Sequence, residues 1–399
     1  MGTPASKKIL FISHEASRSG APIVLLHLLN WLKKNTALVF EILLLSDGPL
    51  KPAFEKLGKT FVLSDLIIQP TLTGRIKKKL MGITLDHQYK KTVNFFSKRG
   101  YDLIYGNTVV SLPWLKIFKQ DHSLKTLCCI HELSYALNYF FTDEYLEKNL
   151  NRVDSIIAVS EAVRNNLVNS LNIPKEKVQL HYEFIDTDNL PERADSINEK
   201  LNIMPDEFVI GAGGAPSWRK GTDLLIPLTL KLTELYPDLK FRVIWLGANT
   251  QDDYVKQLIY DAQKCRINSK IIFLENKPNP LDYINLFDVF VLLSREDPFP
   301  LIALEATWLK KPIIAFENSG GIPELIAQGA GLLAPYLNIT ELADLIGKLS
   351  ENNDFSSKLG SKGHELVVSK YSSGVVSPGI YKLIEELINA GYKTDGAIN

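Results

Sequence analysis

Two acids eight positions apart, Asp297 and Glu305, flank a Phe-Pro turn in Ser-Arg-Glu-Asp-Pro-Phe-Pro-Leu-Ile-Ala-Leu-Glu-Ala, residues 294–306. A carboxylate on each side of the turn raises the question of which ligand the pair meets. Two cations stand upstream. Arg219 and Lys220 end the Gly-rich stretch Gly211-Ala-Gly-Gly-Ala-Pro-Ser-Trp-Arg-Lys-Gly221. Glycines give the backbone freedom, and two cations at a helix start make a diphosphate site. Taken alone, the stretch reads as well as an exposed basic turn. A dinucleotide fingerprint is excluded, because Pro216 stands where that pattern needs glycine. His131-Glu132 lacks the second histidine of a zinc-protease helix, with Tyr135 in its place, so His131 is either a ligand contact or a hydrogen-bonded strand-end residue. Gly20, in Ser13-His-Glu-Ala-Ser-Arg-Ser-Gly20, suits a close backbone approach or a plain strand-to-helix turn.

The elements that must position these residues alternate along the chain. Val289–Leu293 is an unbroken apolar run, as expected of a strand buried on both faces, and a helix is predicted from Pro300 onward. Asp297 then lies at the carboxyl end of a strand, the edge where open α/β sheets bind ligands. Alternatively, Asp297 caps the helix that follows it. Further strands are predicted at Ile9–Ser13, Leu38–Leu45, Thr60–Leu63, Leu103–Tyr105, Thr126–Ile130 and Ser155–Val159. After a polar stretch, Asp186–Glu199, the rhythm restarts at Phe208–Gly211, Phe241–Leu246, Ile271–Leu274 and Ile313–Phe316. Helical patterns lie between, and only helices are predicted beyond Ile339, the last at Ile380–Ala390. Such alternation implies parallel sheets, here two facing Rossmann-like doubly wound domains. The domains expected are 1–188 and 198–375, with 376–399 a helix crossing back to the first.

Composition narrows the function classes. Lys plus Arg equals Asp plus Glu at 45 each, which gives no case for nucleic-acid binding. Residues 1–120 nevertheless hold 18 basic against 7 acidic side chains. Arg75, Lys77, Lys78 and Lys79, with Lys90, Lys91, Lys98 and Arg99, read either as a face for anionic headgroups or as a solvated helix. The most suggestive uncharged run, Ser19–Leu32, has 14 residues, whereas a span needs roughly 20. The amino terminus leads directly into a strand with no secretory pattern. Cys128, Cys129 and Cys265 suggest neither a disulfide framework nor a zinc site, so a cytoplasmic protein is expected. Asp186-Thr-Asp188 copies a metal-holding Asp-x-Asp but falls in the polar linker, where it reads as a solvated pair.

Together the motifs resemble the retaining glycosyltransferases of family 4, which have the GT-B fold. The resemblance rests on Asp-Pro-Phe-Pro-Leu-Ile-Ala-Leu-Glu-Ala, Arg219-Lys220-Gly221, Asn318-Ser-Gly-Gly-Ile-Pro-Glu324, Val153-Asp-Ser-Ile-Ile-Ala-Val-Ser-Glu161 and the His131 strand end. It implies transfer of a sugar from a nucleotide-diphosphate sugar, bound by the C-terminal domain, to a glycan or lipid-linked acceptor on the N-terminal domain. By that likeness Glu305 binds the ribose, Lys220 and Arg219 the diphosphate, and Asp297 the transferred sugar. Backbone N–H groups of Phe299, Leu301 and Ile302 would reach that sugar, Pro300 having none to offer. His131 would approach the same sugar, and Gly20 the donor phosphates or the acceptor. No metal and no cofactor beyond the donor is expected. Asp297 stands where the family usually has Glu, and Pro300 where it has Gly. Two other expectations remain open: a nucleotide-sugar epimerase, which needs no acceptor, and a non-catalytic nucleotide-sugar-binding protein.

Overall fold

The computed structural model describes residues 7–66, 92–119, 124–188 and 195–394. The chain divides into two compact units. One comprises Met1–Tyr182 with Ser373–Asn399, the other Glu183–Ser372. Each is built on one all-parallel sheet, as the alternation of strands and helices implies.

In the first unit seven strands, β1 (Lys8–Ser13), β2 (Val39–Leu44), β3 (Lys59–Val62), β4 (Leu103–Asn107), β5 (Lys125–Ile130), β6 (Ser155–Ala158) and β7 (Val178–Leu180), lie in the order β3-β2-β1-β4-β5-β6-β7. Ile9, Leu10, Phe11 and Ile12 are fully buried, which explains why β1 is apolar throughout rather than alternating. The three-residue β7 was not apparent in the sequence, since only Val178 of Val-Gln-Leu is buried. The last helix, Ser373–Thr394, packs on the helix Gly20–Asn35, with Trp31 and Tyr381 ring centroids 6.2 Å apart. It begins before the expected Ile380 because Pro378, near its start, is tolerated within it.

In the second unit β8 (Phe208–Gly213), β9 (Phe241–Leu246), β10 (Ile271–Leu274), β11 (Val289–Leu292), β12 (Ile313–Phe316) and β13 (Gly331–Ala334) lie in the order β10-β9-β8-β11-β12-β13. The unpredicted β13 pairs with β12 and carries only two buried residues, Gly331 and Ala334, too weak an apolar signal to mark a strand. Strand order reverses direction between β1 and β4 in one sheet and between β8 and β11 in the other. At such a switch point the loops leave to opposite faces and open a crevice at the strands' carboxyl ends.

Candidate functional site

The β8–β11 switch point gathers the basic pair and the first acid. The loop after β8 turns back on itself, with Ser217 N–H donating to Thr222 Oγ1 at 3.1 Å and Lys220 N–H donating to Ser217 Oγ at 3.3 Å. Gly221 has φ +70°, and a Cβ there would come within 1.9 Å of the Leu293 carbonyl oxygen. Only glycine lets this loop lie against the end of β11. From the other side Gly320, at φ +123°, packs on Asp297, where a Cβ would meet the Asp297 carbonyl oxygen at 1.8 Å. Asp297 N–H donates to Ser319 O at 2.7 Å, and Gly321 N–H donates to Asp297 O at 3.1 Å. Asp297 is thus pinned between two loops and is 3% exposed.

Its carboxylate is held mainly through Oδ2. Lys220 Nζ lies 2.6 Å from Oδ2, which also accepts from Ser294 Oγ at 2.9 Å. Arg219 Nη1 stands 3.7 Å from Oδ1 and donates to Glu296 O at 2.6 Å. Burial alone would raise the Asp297 pKa, but the attraction of Lys220 and Arg219 and these hydrogen bonds outweigh it and hold the acid below its ordinary value. Two cations surround one buried carboxylate, so one positive charge is left over at the strand ends.

The helix expected from Pro300 runs Leu301–Trp308. Pro300 itself is the N-cap residue, extended at ψ 129°, and no side chain caps the helix. Asp297 is therefore not the cap. The early N–H groups, those of Leu301 and Ile302 included, have no intrahelical partner and face the end where an anion or hydroxyl would be held. The Phe299 ring is buried against Tyr371, centroids 5.2 Å apart. Glu305, one turn further along, is half-buried, and its carboxylate has no hydrogen bond or ion pair among the described residues. Burial pushes its pKa up to about 7. A desolvated acid without a partner gains most from a ligand that donates to it.

The first sheet's switch point brings His131 and the Gly20 turn together through a residue the sequence reasoning missed. Asn107, at the end of β4, donates from Nδ2 to Ala21 O at 3.0 Å, and its Oδ1 lies 3.0 Å from His131 Nε2. Glu132 is buried, accepting from the N–H groups of His131 at 2.9 Å and Val109 at 3.2 Å. His14 Nε2 lies 3.3 Å from Glu15 Oε1, while its Nδ1 is buried without a partner. Gly20 is exposed at the first position of its helix. Ser294 and Asn107 carried one usable signal: each polar residue directly follows or ends an apolar strand run.

Other sequence candidates fall elsewhere. Asp186 accepts from the Asp188 N–H at 3.2 Å in a local turn, with Asp188 exposed. Among the described residues no cluster of His, Cys, Asp and Glu is fit to hold a metal ion. Cys128 and Cys129 are buried free thiols and Cys265 an exposed one. Of the basic stretch, residues 75–79, 90 and 91 lie outside the described residues. Arg99 is committed to Glu41, with Nε donating at 2.6 Å and Nη2 at 2.5 Å. A hollow of about 390 Å³ lined by Phe208, Asp288, Lys310 and Pro312 opens at the amino ends of the strands, the edge opposite Lys220.

Two doubly wound parallel-sheet units, one carrying a basic loop and an acid at its switch point, define the class as GT-B. Residues 19–189 match the family described as Glycosyltransferase Family 4, and residues 194–366 that described as Glycosyl transferases group 1. The chain belongs to the family 4 glycosyltransferases of the GT-B fold. It is 24% identical over 58% of its length to the poly(ribitol-phosphate) alpha-N-acetylglucosaminyltransferase of Staphylococcus aureus, covering 44% of that protein. It is also 24% identical to the S. aureus capsular polysaccharide biosynthesis glycosyltransferase CapM, over 60% of this chain and 62% of that one. The chain thus spans about half of these two curated relatives. An uncharacterized glycosyltransferase of Haemophilus influenzae matches at 23% identity over 95% of this chain and 98% of its own. Among solved structures, Anabaena HepE in complex with UDP-glucose superposes with TM-score 0.79 at 21% identity, covering 95% of this chain and all of that one.

Proposed function

We propose that the protein is a retaining glycosyltransferase that takes a sugar from a nucleoside-diphosphate sugar and passes it to a glycan or lipid-linked acceptor. The observation that carries the donor reading is the Lys220–Asp297–Arg219 cluster at the β8–β11 switch point, with the unpartnered Glu305 eight residues beyond Asp297. The donor is held by the second unit and the acceptor by the first. Glu305 accepts from the ribose hydroxyls. Lys220 and Arg219 meet the diphosphate, and the N–H groups of Leu301 and Ile302 reach the sugar. HepE, a relative in fold, was solved with UDP-glucose, which makes a uridine donor the first to try.

In this reading the bond between the anomeric carbon and the phosphate oxygen breaks, and its electron pair goes to the leaving diphosphate. The charges of Lys220 and Arg219 stabilise that growing negative charge. The acceptor oxygen forms the new bond on the same face, and its proton passes to the departing phosphate. Asp297 anchors Lys220 through Oδ2 and offers Oδ1, 3.7 Å from Arg219, to the sugar hydroxyls. The basic pair stands in for a divalent cation, so transfer is expected to continue in excess EDTA. Loss of activity on chelation, restored by manganese, would overturn this.

The test is incubation with α-linked nucleoside-diphosphate sugars and a panel of glycan and lipid-linked acceptors, with the product anomer assigned by NMR. An α-linked product supports the reading, and a β-linked product overturns retention. A second reading, binding without transfer, is favoured by the engagement of Asp297 by Lys220, Ser294 and Arg219. Nucleotide-sugar binding with neither transfer nor hydrolysis across the panel would establish it. A location at the inner face of the membrane rests on the basic excess of residues 1–120. Among the described residues no helix is long and apolar enough to cross a membrane. Flotation with anionic but not neutral vesicles, weakened by salt, is the expected result.

A further inference from the structure

Arg295 stands beside Ser294 at the exit of β11, in a position the family resemblance leaves without a role. Its guanidinium is nearly buried, with the side chain 10% exposed, and its donors point toward the basic loop. Nη1 donates to Trp218 O at 2.6 Å and to Asp223 Oδ1 at 2.8 Å, and Nη2 to Asp223 Oδ2 at 2.7 Å. The Arg295 backbone N–H donates to Arg219 O at 2.8 Å. The guanidinium carbon also lies 4.8 Å from the centroid of the Trp218 ring. One residue therefore grips the loop immediately before Lys220, at Trp218 and Arg219, and just after it, at Asp223.

We propose that Arg295 is a positioning residue that holds the Arg219-Lys220 loop in its diphosphate-binding shape before the donor arrives. The inference rests on the nucleotide-sugar reading above and adds to it a device outside the two acids and the basic pair. The loop needs such a device. Gly213, Gly214 and Gly221 leave its backbone free to wander, and the ordering of two long cationic side chains would otherwise be charged against donor binding. With three of its five guanidinium N–H donors held by Trp218 and Asp223, Arg295 acts through the loop rather than on the diphosphate. A planar fork is required for this grip, because an ammonium cannot reach both Asp223 oxygens and the Trp218 carbonyl in one plane.

The experiment uses the full chain and its Arg295→Lys, Arg295→Met and Asp223→Asn variants, with the Arg295→Met/Asp223→Asn double variant. Calorimetry measures binding of UDP, GDP, ADP and dTDP and of the matching nucleosides. The expected result is a loss of about tenfold in affinity for the preferred diphosphate, with nucleoside affinity unchanged. The double variant should be no worse than the worse single one, since both residues serve one clasp. Trypsin cleavage after Arg219 and Lys220 should quicken in each variant and slow again on adding diphosphate. Folded variants that bind diphosphate as tightly as the parent chain would overturn the role of Arg295 alone. A parent chain that binds none of the diphosphates would overturn the donor-site reading and this inference together. Arg295→Lys keeps the charge and most of the packing, so the test survives if Arg295→Met fails to fold.

Discussion

The two sheets end in similar crevices built from different chemistry. At the β8–β11 edge the side chains are ionic: Lys220 and Arg219 close on a buried Asp297, and Arg295 on Asp223. At the β1–β4 edge an amide and imidazoles meet beside the carboxylates of Glu15 and Glu132, with no lysine or arginine paired to them in the contacts described above. Asn107 joins His131 to the Gly20 turn, and His14 leans on Glu15. A site for a diphosphate needs fixed positive charge, and fixed charge is tolerated in a buried place only when it is paired. A site for hydroxyls needs donors and acceptors of modest strength, which half-buried neutral groups supply. The difference fits a division of labour in which one edge holds the charged donor and the other meets an uncharged acceptor.

The largest effect expected from this contrast is on stability. Asp297→Ala leaves Lys220, whose side chain is 16% exposed, without its partner. Breaking such a pair costs about 3–5 kcal/mol. His131→Ala removes the hydrogen bond to Asn107 and should cost about 1 kcal/mol. Denaturant unfolding of both variants measures the gap. Equal losses would mean that the two edges are not differently held, and that Asp297 is not the anchor of Lys220.

The ionic edge was also the more legible of the two in the sequence. Lys220 and Asp297 could be placed at strand ends because β8 and β11 are continuous apolar runs and the glycines flank them. The proximity of these residues was not visible, because a separation of 77 positions says nothing of a 2.6 Å contact. Nothing in the sequence marks Arg295, because its partners Trp218 and Asp223 lie 77 and 72 positions away along the chain. At the neutral edge the sequence offered His131 and Gly20 but not Asn107, since an asparagine ending Leu-Ile-Tyr-Gly-Asn carries no charge or spacing to mark it. Strands β7 and β13 escaped for a related reason: each is short and only partly buried, so pairing with a neighbour rather than its own apolarity makes it a strand.

Nucleotide affinity is the next effect in size. Glu305→Ala and Lys220→Ala should each lose about 1.5–3 kcal/mol in binding a nucleoside diphosphate, since each removes a hydrogen bond to a charged group. His131→Ala, by contrast, should bind the diphosphate as the parent chain does and lower transfer. Calorimetry with the free diphosphate, beside a transfer assay, separates the three variants. A His131 variant with weakened diphosphate binding would show that the donor is not confined to the ionic edge.

A smaller effect is the pH dependence set by Glu305, whose pKa is pushed up to about 7 by burial. Between about 4.5 and 7 the folded chain holds a proton here that the unfolded chain has released. The stabilising effect of the proton is complete below about 4.5 and is lost as pH rises through about 7. If the ionised carboxylate accepts from ribose hydroxyls, nucleotide binding at pH 6 releases a proton. The binding enthalpy will then depend on the buffer's ionisation enthalpy, and Glu305→Gln abolishes that dependence. Buffer-independent heats in the parent chain would remove Glu305 from the ribose.

The smallest effect belongs to His14 and has the opposite sign. Burial lowers its pKa below 6.5; Glu15 opposes that shift, and His131 adds to it by repulsion. As pH falls below about 6.5 the unfolded chain takes up a proton that the folded His14 refuses. Stability is therefore lost on acidification, through the window from the unfolded pKa down to the folded one, and the loss ends where the folded imidazole finally protonates. One proton sets the limit, so the slope cannot exceed about 1.4 kcal/mol per pH unit. His14→Gln keeps a polar group of similar reach and cannot titrate. Subtracting its unfolding free energies from those of the parent chain between pH 7 and pH 5 should leave a difference that grows as pH falls. The same subtraction with Glu305→Gln should leave one that grows as pH rises from about 4.5 to 7. Opposite pH slopes in the two differences would mark the edges as chemically distinct even before a ligand is known. A flat His14 difference would mean that water reaches the unpartnered Nδ1 well enough to solvate the imidazolium, and the neutral edge would then be wetter than its geometry implies.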